Sequence, residues 1–437
     1  MRELEDRVIR RIFRRIIPFL MLCYFFAFLD RVNLGFAALD MNRELSFDAA
    51  VFGLGAGIFF LGYLLFEVPS SLMQHRFGAR RWIAGIIVCW GIVSTATAFI
   101  GSVAWISAEA QFYLARFLLG VAEAGFFPGV IYYITLWFPE AYRGRIFGLF
   151  FCTVPLSSAI GAPISSAILV YMEGVAGLHG WQWIFVLEAV PAILLGAVTW
   201  FYLTDEPSRA TWLDKDARSW LVQRLFAEQD AMPVASGESV LKVISNPKVV
   251  SLGIAGMGFA SGIYTIGFFL PQVVQEFSAT HLRTGVITAI PFLVGGLATI
   301  WYGWHSDRRC ECRNRHAALA FVVGAIGLAA AAFANDPLTR MASICVAAFG
   351  IFAVLPVFWA LPATFLSGRS RAIGIAFITT IASVAGIIGP WAFGVIRSMT
   401  GRFDNGFLLI AATMLVSAVL VLQIGPSPRR VAEVTYE

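Results

Sequence analysis

Inside the first apolar stretch, Phe25-Phe26-Ala27-Phe28-Leu29-Asp30-Arg31-Val32-Asn33-Leu34-Gly35-Phe36, a carboxylate and a guanidinium are neighbours. A second pair sits in Tyr113-Leu114-Ala115-Arg116-Phe117-Leu118-Leu119-Gly120-Val121-Ala122-Glu123. Each charge at bilayer depth costs a few kcal/mol or more, so such residues face a polar cavity or a partner rather than lipid. Arg116 and Glu123 are two helical turns apart, about 10 Å along one face, with Tyr113, Gly120 and Phe127 completing the stripe. The chemistry these types offer is anion binding and proton handling. Arginine grips a carboxylate through a planar fork of donors, more directionally than lysine. A proton and a neighbouring guanidinium compete for each carboxylate, which couples proton binding to anion binding.

Other polar positions are weaker signals. Tyr63 lies in the second apolar run and Glu67 lower down, before Val68-Pro69-Ser70-Ser71, where a structural or gating role is expected. Glu188 reads as a helix–helix hydrogen-bonding group. The second half of the chain has no clear mid-membrane charge and offers hydroxyls and aromatics instead, among them Tyr264, Trp359, Thr379 and Ser383. Cys310-x-Cys312 lies in a basic loop with no second ligand pair, so neither a metal nor any other cofactor is expected.

The elements that must position these residues follow from composition. Of 437 residues, 59% are hydrophobic and 14% charged, with a mean hydropathy of +0.77, too apolar for a water-soluble chain of this length. Segments of about 20 apolar residues fall near 16–38, 50–72, 82–102, 109–131, 145–170, 182–203, 248–275, 284–304, 316–334, 339–362, 371–396 and 405–425. The basic start and the length of the first run read as a span rather than a cleaved signal. Of the 32 Lys and Arg, 25 fall on the side of the termini, and only Arg43, Arg283, Arg340, Arg397 and Arg402 on the other. Both termini are therefore expected in the cytoplasm. The basic balance is a topology signal and gives no reason to expect a nucleic-acid partner.

The one long polar stretch divides the chain into a six-helix bundle over 1–203, a linker over 204–247 and a second bundle over 248–437. Within the linker, Trp212-Leu213 and Ala217 to Glu228 predict a short amphipathic helix, and Pro233 to Glu238 a flexible joint. The halves echo each other. Gln74-His75-Arg76-Phe77-Gly78-Ala79-Arg80-Arg81 follows span two, and Gly303-Trp304-His305-Ser306-Asp307-Arg308-Arg309 follows span eight. Ile160-Gly161-Ala162-Pro163 in span five answers Ile388-Gly389-Pro390 in span eleven.

On these runs the chain resembles the major facilitator superfamily over essentially its whole length. The resemblance implies an all-α membrane protein of twelve spans in two pseudo-symmetric bundles, acting as a monomer by alternating access. The loop runs resemble the superfamily's basic signature, which gives Glu67, Arg76, Arg80, Asp307 and Arg308 a gating role. His75 stands where that pattern usually has Asp, which puts the first half's charge latch in doubt. Arginines in such turns can also hydrogen-bond carbonyls at nearby helix C-termini.

Asp30-Arg31-Val32-Asn33, Tyr63, Arg116 with Glu123, Trp137-Phe138-Pro139 and Phe358-Trp359-Ala360-Leu361-Pro362 are similar to motifs of the anion:cation symporter family. It includes bacterial tartrate, phthalate and sugar-acid permeases. By that resemblance Arg31 binds the substrate carboxylate, Asp30 and Glu123 take protons, Tyr63 hydrogen-bonds substrate and Arg116 shapes the field. Tyr264, Trp359, Thr379 and Ser383 complete the expected substrate site. The sugar-acid branch typically has Asn where this chain has Thr379 and Ser383, so a short hydroxy-dicarboxylate or aromatic acid fits better than a long sugar acid. The expected function is proton-coupled import of a small organic anion across the bacterial inner membrane. Exchange, potential-driven uniport and a transporter-like sensor remain as alternatives, and the carboxylates alone also admit sodium as coupling ion. No nucleophile–base set or phosphate loop supports an enzyme.

Overall fold

A computed structural model describes residues 2–230, 240–307, 313–366 and 368–424, all helix and connecting loop with no strand among them. The expected joint at Pro233 to Glu238, the Cys310/Cys312 pair and Arg308 lie outside the described residues, as do the side chains of His75 and Asp307. Eleven described helices are long and apolar enough to cross a membrane. The third expected segment, 82–102, instead folds as Ala79–Thr97, a 19-residue helix outside those eleven. Arg80-Arg81 at its start and Ser94-Thr95-Ala96-Thr97 at its end dilute its apolar character, and it packs on spans four and six. The expected twelve apolar spans are thus eleven plus one polar-ended helix.

Helix ends are set by local chemistry. The Asp48 carboxylate accepts the Val51 N–H at 2.7 Å to start span two (Ala49–Phe77), and Asp336 accepts from Thr339 to start span ten (Pro337–Phe358). Asn246 with Pro247 opens span seven (Pro247–Gln275), where a missing proline N–H costs nothing. Span six (Gly180–Tyr202) begins on a capping box of His179 and Gln182. The linker carries a helix at the expected place, Lys215–Asp230, with Ala217 and Leu221 buried and Val222 and Phe226 exposed. It is tied to the first half by an Arg11–Asp214 ion pair at 2.8 Å and by Glu228, whose carboxylate accepts the Glu140 N–H at 3.0 Å.

The packing pattern repeats. In the first half, span one (Arg2–Glu44) packs on five (Glu140–Tyr171) and six, two on four (Ala108–Trp137), and three on four and six. In the second, seven packs on eleven (Gly368–Thr400) and twelve (Asp404–Gln423), eight (His281–Asp307) on ten, and nine (Arg313–Phe333) on ten and twelve. Adding six to each number converts one set into the other. The halves meet through spans two and eleven, five and eight, and one and seven. The same operation exchanges the first two contacts and returns the third to itself, as a pseudo-twofold axis requires.

Two glycines shape the first half. Gly120 lets spans two and four lie backbone to backbone, because a Cβ there would overlap the Phe59 carbonyl oxygen. Gly125, at φ +85°, breaks span four into Ala108–Glu123 and Phe126–Trp137. Gly120→Ala should lower the melting temperature in detergent by the equivalent of about 1–3 kcal/mol of overpacking. Gly85→Ala, with nothing within 4 Å of the added carbon, should melt like the parent.

Candidate functional site

The break at Gly125 ends the first half of span four on Glu123, and that carboxylate meets Arg31 of span one. Arg31 Nε donates to Glu123 Oε1 at 2.8 Å and Nη2 lies 2.5 Å from the same oxygen, with both side chains buried. Glu123 Oε2 has no hydrogen-bond partner among the described residues. Asp30 is also buried but turns elsewhere. Ser94 Oγ of the third helix donates to Asp30 Oδ1, and Asn33 Nδ2 lies 3.5 Å from it. The two chain neighbours therefore serve different partners on different helices.

Arg116 is 0% exposed, yet none of its three guanidinium nitrogens has a hydrogen-bond partner among the described residues. Its charge rests instead over the Phe59 ring, 5.0 Å from the centroid, and Arg31 lies 5.1 Å from the same ring. Arg31 also lies 5.2 Å from the Tyr63 ring. Two like charges thus lie within cation–π distance of one ring. Tyr264 of span seven packs on Phe60, ring centroids 4.2 Å apart and tilted by 54°, and comes within electrostatic range of Arg31, bringing the second half to the cluster.

Asp30, Arg31, Tyr63, Arg116, Glu123 and Tyr264 are therefore brought together. Thr379 and Ser383 are not seen to join them: their hydroxyls donate to the Ile375 and Thr379 carbonyls of their own helix at 2.9 Å. Trp359 sits where span ten ends and stacks on Phe151 of span five, 6.4 Å between centroids and 4° between planes, a contact between halves toward the end that carries the termini. At the opposite end the halves are joined by Ala50 N–H to Ser398 Oγ at 3.0 Å, Ser398 Oγ to Asp48 at 3.1 Å, and His281 to Asp40 at 3.4 Å.

Of the expected gating residues, Arg80 pairs with Asp205 at the end of span six, its Nε 3.5 Å and its backbone N–H 2.9 Å from that carboxylate. Arg76 is exposed, over the Phe77 ring at 5.8 Å, and Glu67 is partly buried with its carbonyl accepting from Ser71. Carbonyl capping by a basic turn does occur, but at Arg143, which donates to Phe138 O at 2.7 Å and Thr135 O at 3.2 Å. Glu188 accepts from Ser165 at 2.6 Å, the helix–helix bond expected of it. Ser94, Phe59 and Arg143 are the participants that residue types did not single out. A serine or phenylalanine in an apolar helix gives no sign of which way it faces.

The Major Facilitator Superfamily model matches residues 20–390 and 252–435. The chain belongs to this superfamily. It is a multi-pass membrane transporter and not an enzyme. A protein of Agrobacterium vitis named as a tartrate transporter is 46% identical over 420 residues, covering 96% of this chain and 95% of that one. A Pseudomonas putida protein named as the metabolite transport protein NicT is 41% identical, covering 93% and 92%. Among solved structures, a partially occluded inward-open xylose transporter of E. coli superposes with a TM-score of 0.75 at 15% identity, covering 95% and 98%. The last likeness is one of fold alone.

Ser94 donates a hydrogen bond to the buried Asp30 carboxylate. Ser94→Ala should therefore lower unfolding stability by about 1–3 kcal/mol in a detergent melt. Ser102→Ala, on an exposed loop, should leave the melt unchanged.

Proposed function

We propose that this transporter imports a small organic anion, a tartrate-like hydroxy acid or an aromatic acid, together with protons. The observation that carries the reading is the pairing of Arg31 with Glu123 beside an Arg116 that has no hydrogen-bond acceptor among the described residues. A protein carboxylate already occupies the fork that a substrate carboxylate would use. A proton taken at Glu123, whose second oxygen is unengaged, cancels the charge that holds Arg31. The fork then turns to substrate, with Arg116 supplying a second set of donors. Asp30 serves as a second proton site beside it. Proton and anion leave together once the cavity opens to the other side. The relatives named as tartrate and metabolite transporters support the substrate class.

In the bacterial inner membrane the termini would face the cytoplasm, by the distribution of arginines. The contacts at Asp40–His281 and Asp48–Ser398 would then close the external side, and Trp359 against Phe151 would lie on the internal pathway. In this reading the chain works as a monomer and needs no cofactor beyond the coupling ion. Exchange and uniport are the competing readings for the same substrate class.

Uptake into proteoliposomes separates them. An acid-outside gradient should drive accumulation of tartrate or a related acid above its external concentration; uptake indifferent to the gradient would sink symport. Arg31→Lys replaces a fork by a point charge. It should weaken substrate affinity roughly tenfold or more, about 1.4 kcal/mol, and near-parental affinity would remove Arg31 from the site. Glu123→Gln should still exchange labelled for unlabelled anion but lose proton-driven accumulation, whereas full accumulation would end its coupling role.

A further inference from the structure

The first helix is longer than a membrane needs. Arg2–Glu44 extends about 65 Å at about 1.5 Å per residue, roughly twice a hydrocarbon core of about 30 Å. In its first turns Val8, Ile9, Ile12 and Ile16 are buried against the bundle. Arg7, Arg10, Arg11 and Arg14 share another face at spacings of three, four and seven. That face, with Arg15, Tyr202 and Trp212, lines an open cavity of 870 Å³.

Part of the wall is fixed. The Arg15 guanidinium lies 4.6 Å from the Tyr202 ring and 4.8 Å from the Trp212 ring, while the Tyr202 hydroxyl donates to the Arg15 carbonyl at 3.0 Å. Arg11 is held by Asp214. Arg7, Arg10 and Arg14 are exposed and make no ion pair among the described residues. Glu3 and Asp6 also line the cavity, one turn from Arg7 and Arg10, but form no ion pair with them, so a cationic excess remains. Tyr202 ends span six and Arg15 immediately precedes the apolar run of span one, which puts the cavity at head-group depth. Just inside that level, Leu22, Trp200 and Phe201 present exposed apolar side chains, Phe201 at 84%.

We infer that this cavity binds a phosphate-bearing anion, presented by the head group of an anionic phospholipid. A phosphodiester offers acceptor oxygens that match arginine forks, and its acyl chains would lie along Leu22 and Phe201. Free phosphate would meet the same arginines without that apolar contact. The site is separate from the Arg31–Glu123 cluster and does not rest on the substrate reading.

The test is thermal unfolding of the full chain, delipidated in detergent and titrated separately with phosphatidylglycerol, phosphatidylcholine and inorganic phosphate. Phosphatidylglycerol alone should raise the melting temperature. The double variant Arg10→Gln/Arg14→Gln should need roughly tenfold more of it, and Arg7→Gln alone should lose less in the same direction. Arg283→Gln, an exposed residue at the opposite end, should respond like the parent. A shift of equal size with inorganic phosphate would overturn the lipid source. An unaltered phosphatidylglycerol response in both Arg7→Gln and the double variant would overturn the site.

Discussion

The buried contact between Arg31 and Glu123 is the constraint on which the first half depends. Moving two ions out of water costs several kcal/mol each, recovered only when geometry and hydrogen bonding are good. Two donors of one guanidinium converge on a single carboxylate oxygen, which recovers part of that cost and leaves the second oxygen without a partner among the described residues. The contact fixes span one against span four at a defined height. It also explains why span four breaks where it does. Gly125, two residues beyond Glu123, ends the helix so that the carboxylate sits at a helix terminus rather than midway along a continuous cylinder. Discontinuous helices are the usual membrane solution for placing polar groups at depth.

Around that contact the charges balance in number but not in bonding. Asp30 and Glu123 face Arg31 and Arg116, so the cluster is close to neutral as a whole. Arg31 is hydrogen-bonded to Glu123 and Asp30 to Ser94, whereas Arg116 has the Phe59 ring beside it and the two carboxylates within electrostatic range but no hydrogen bond among the described residues. A cation–π contact is worth roughly 0.5–2 kcal/mol, much less than burying a guanidinium costs. The imbalance leaves Arg116 short of acceptors and Glu123 with an idle oxygen. Under the proposed symport, an incoming anion would supply acceptors to Arg116 and a proton would occupy the free oxygen of Glu123, so one cluster would answer both deficits.

Much of this was legible in the residues. The charged pairs are visible because acidic and basic types are so costly in an apolar run, and the linker helix because its polar pattern interrupts that run. The outcome for Asp30 and Arg31 was less visible. Adjacent residues on a helix point about 100° apart, so their separate partners follow from geometry, but Ser94 as the partner does not. Which face of an apolar helix turns inward is set by its neighbours, and hydrophobicity in lipid carries no such direction. The same reason hid Phe59, one ring among many, as the surface shared by two guanidiniums. The expected third segment runs past the helix because Ala98-Phe99-Ile100-Gly101 are apolar yet form a turn. Thr379 and Ser383 show the converse limit: a hydroxyl type is readable, but its donation to its own helix is not.

The two halves share one helix-pairing scheme while their chemistry differs. Charge is concentrated in the first half, and the second brings Tyr264 to the cluster. The symmetry is therefore one of helix packing and not of side-chain chemistry. The contacts between spans two and eleven and between five and eight are exchanged by the pseudo-twofold, so rotation of one half on the other repacks both in equivalent ways. Span one against span seven lies on the axis and is the contact that can persist through such a rotation. Arg31 rides on span one and Tyr264 on span seven. Arg31, Phe59, Tyr63, Arg116 and Glu123 all belong to the first half and only Tyr264 comes to them from the second, across the contact on the axis, so a rotation of one half on the other would leave the charged contacts inside a single half.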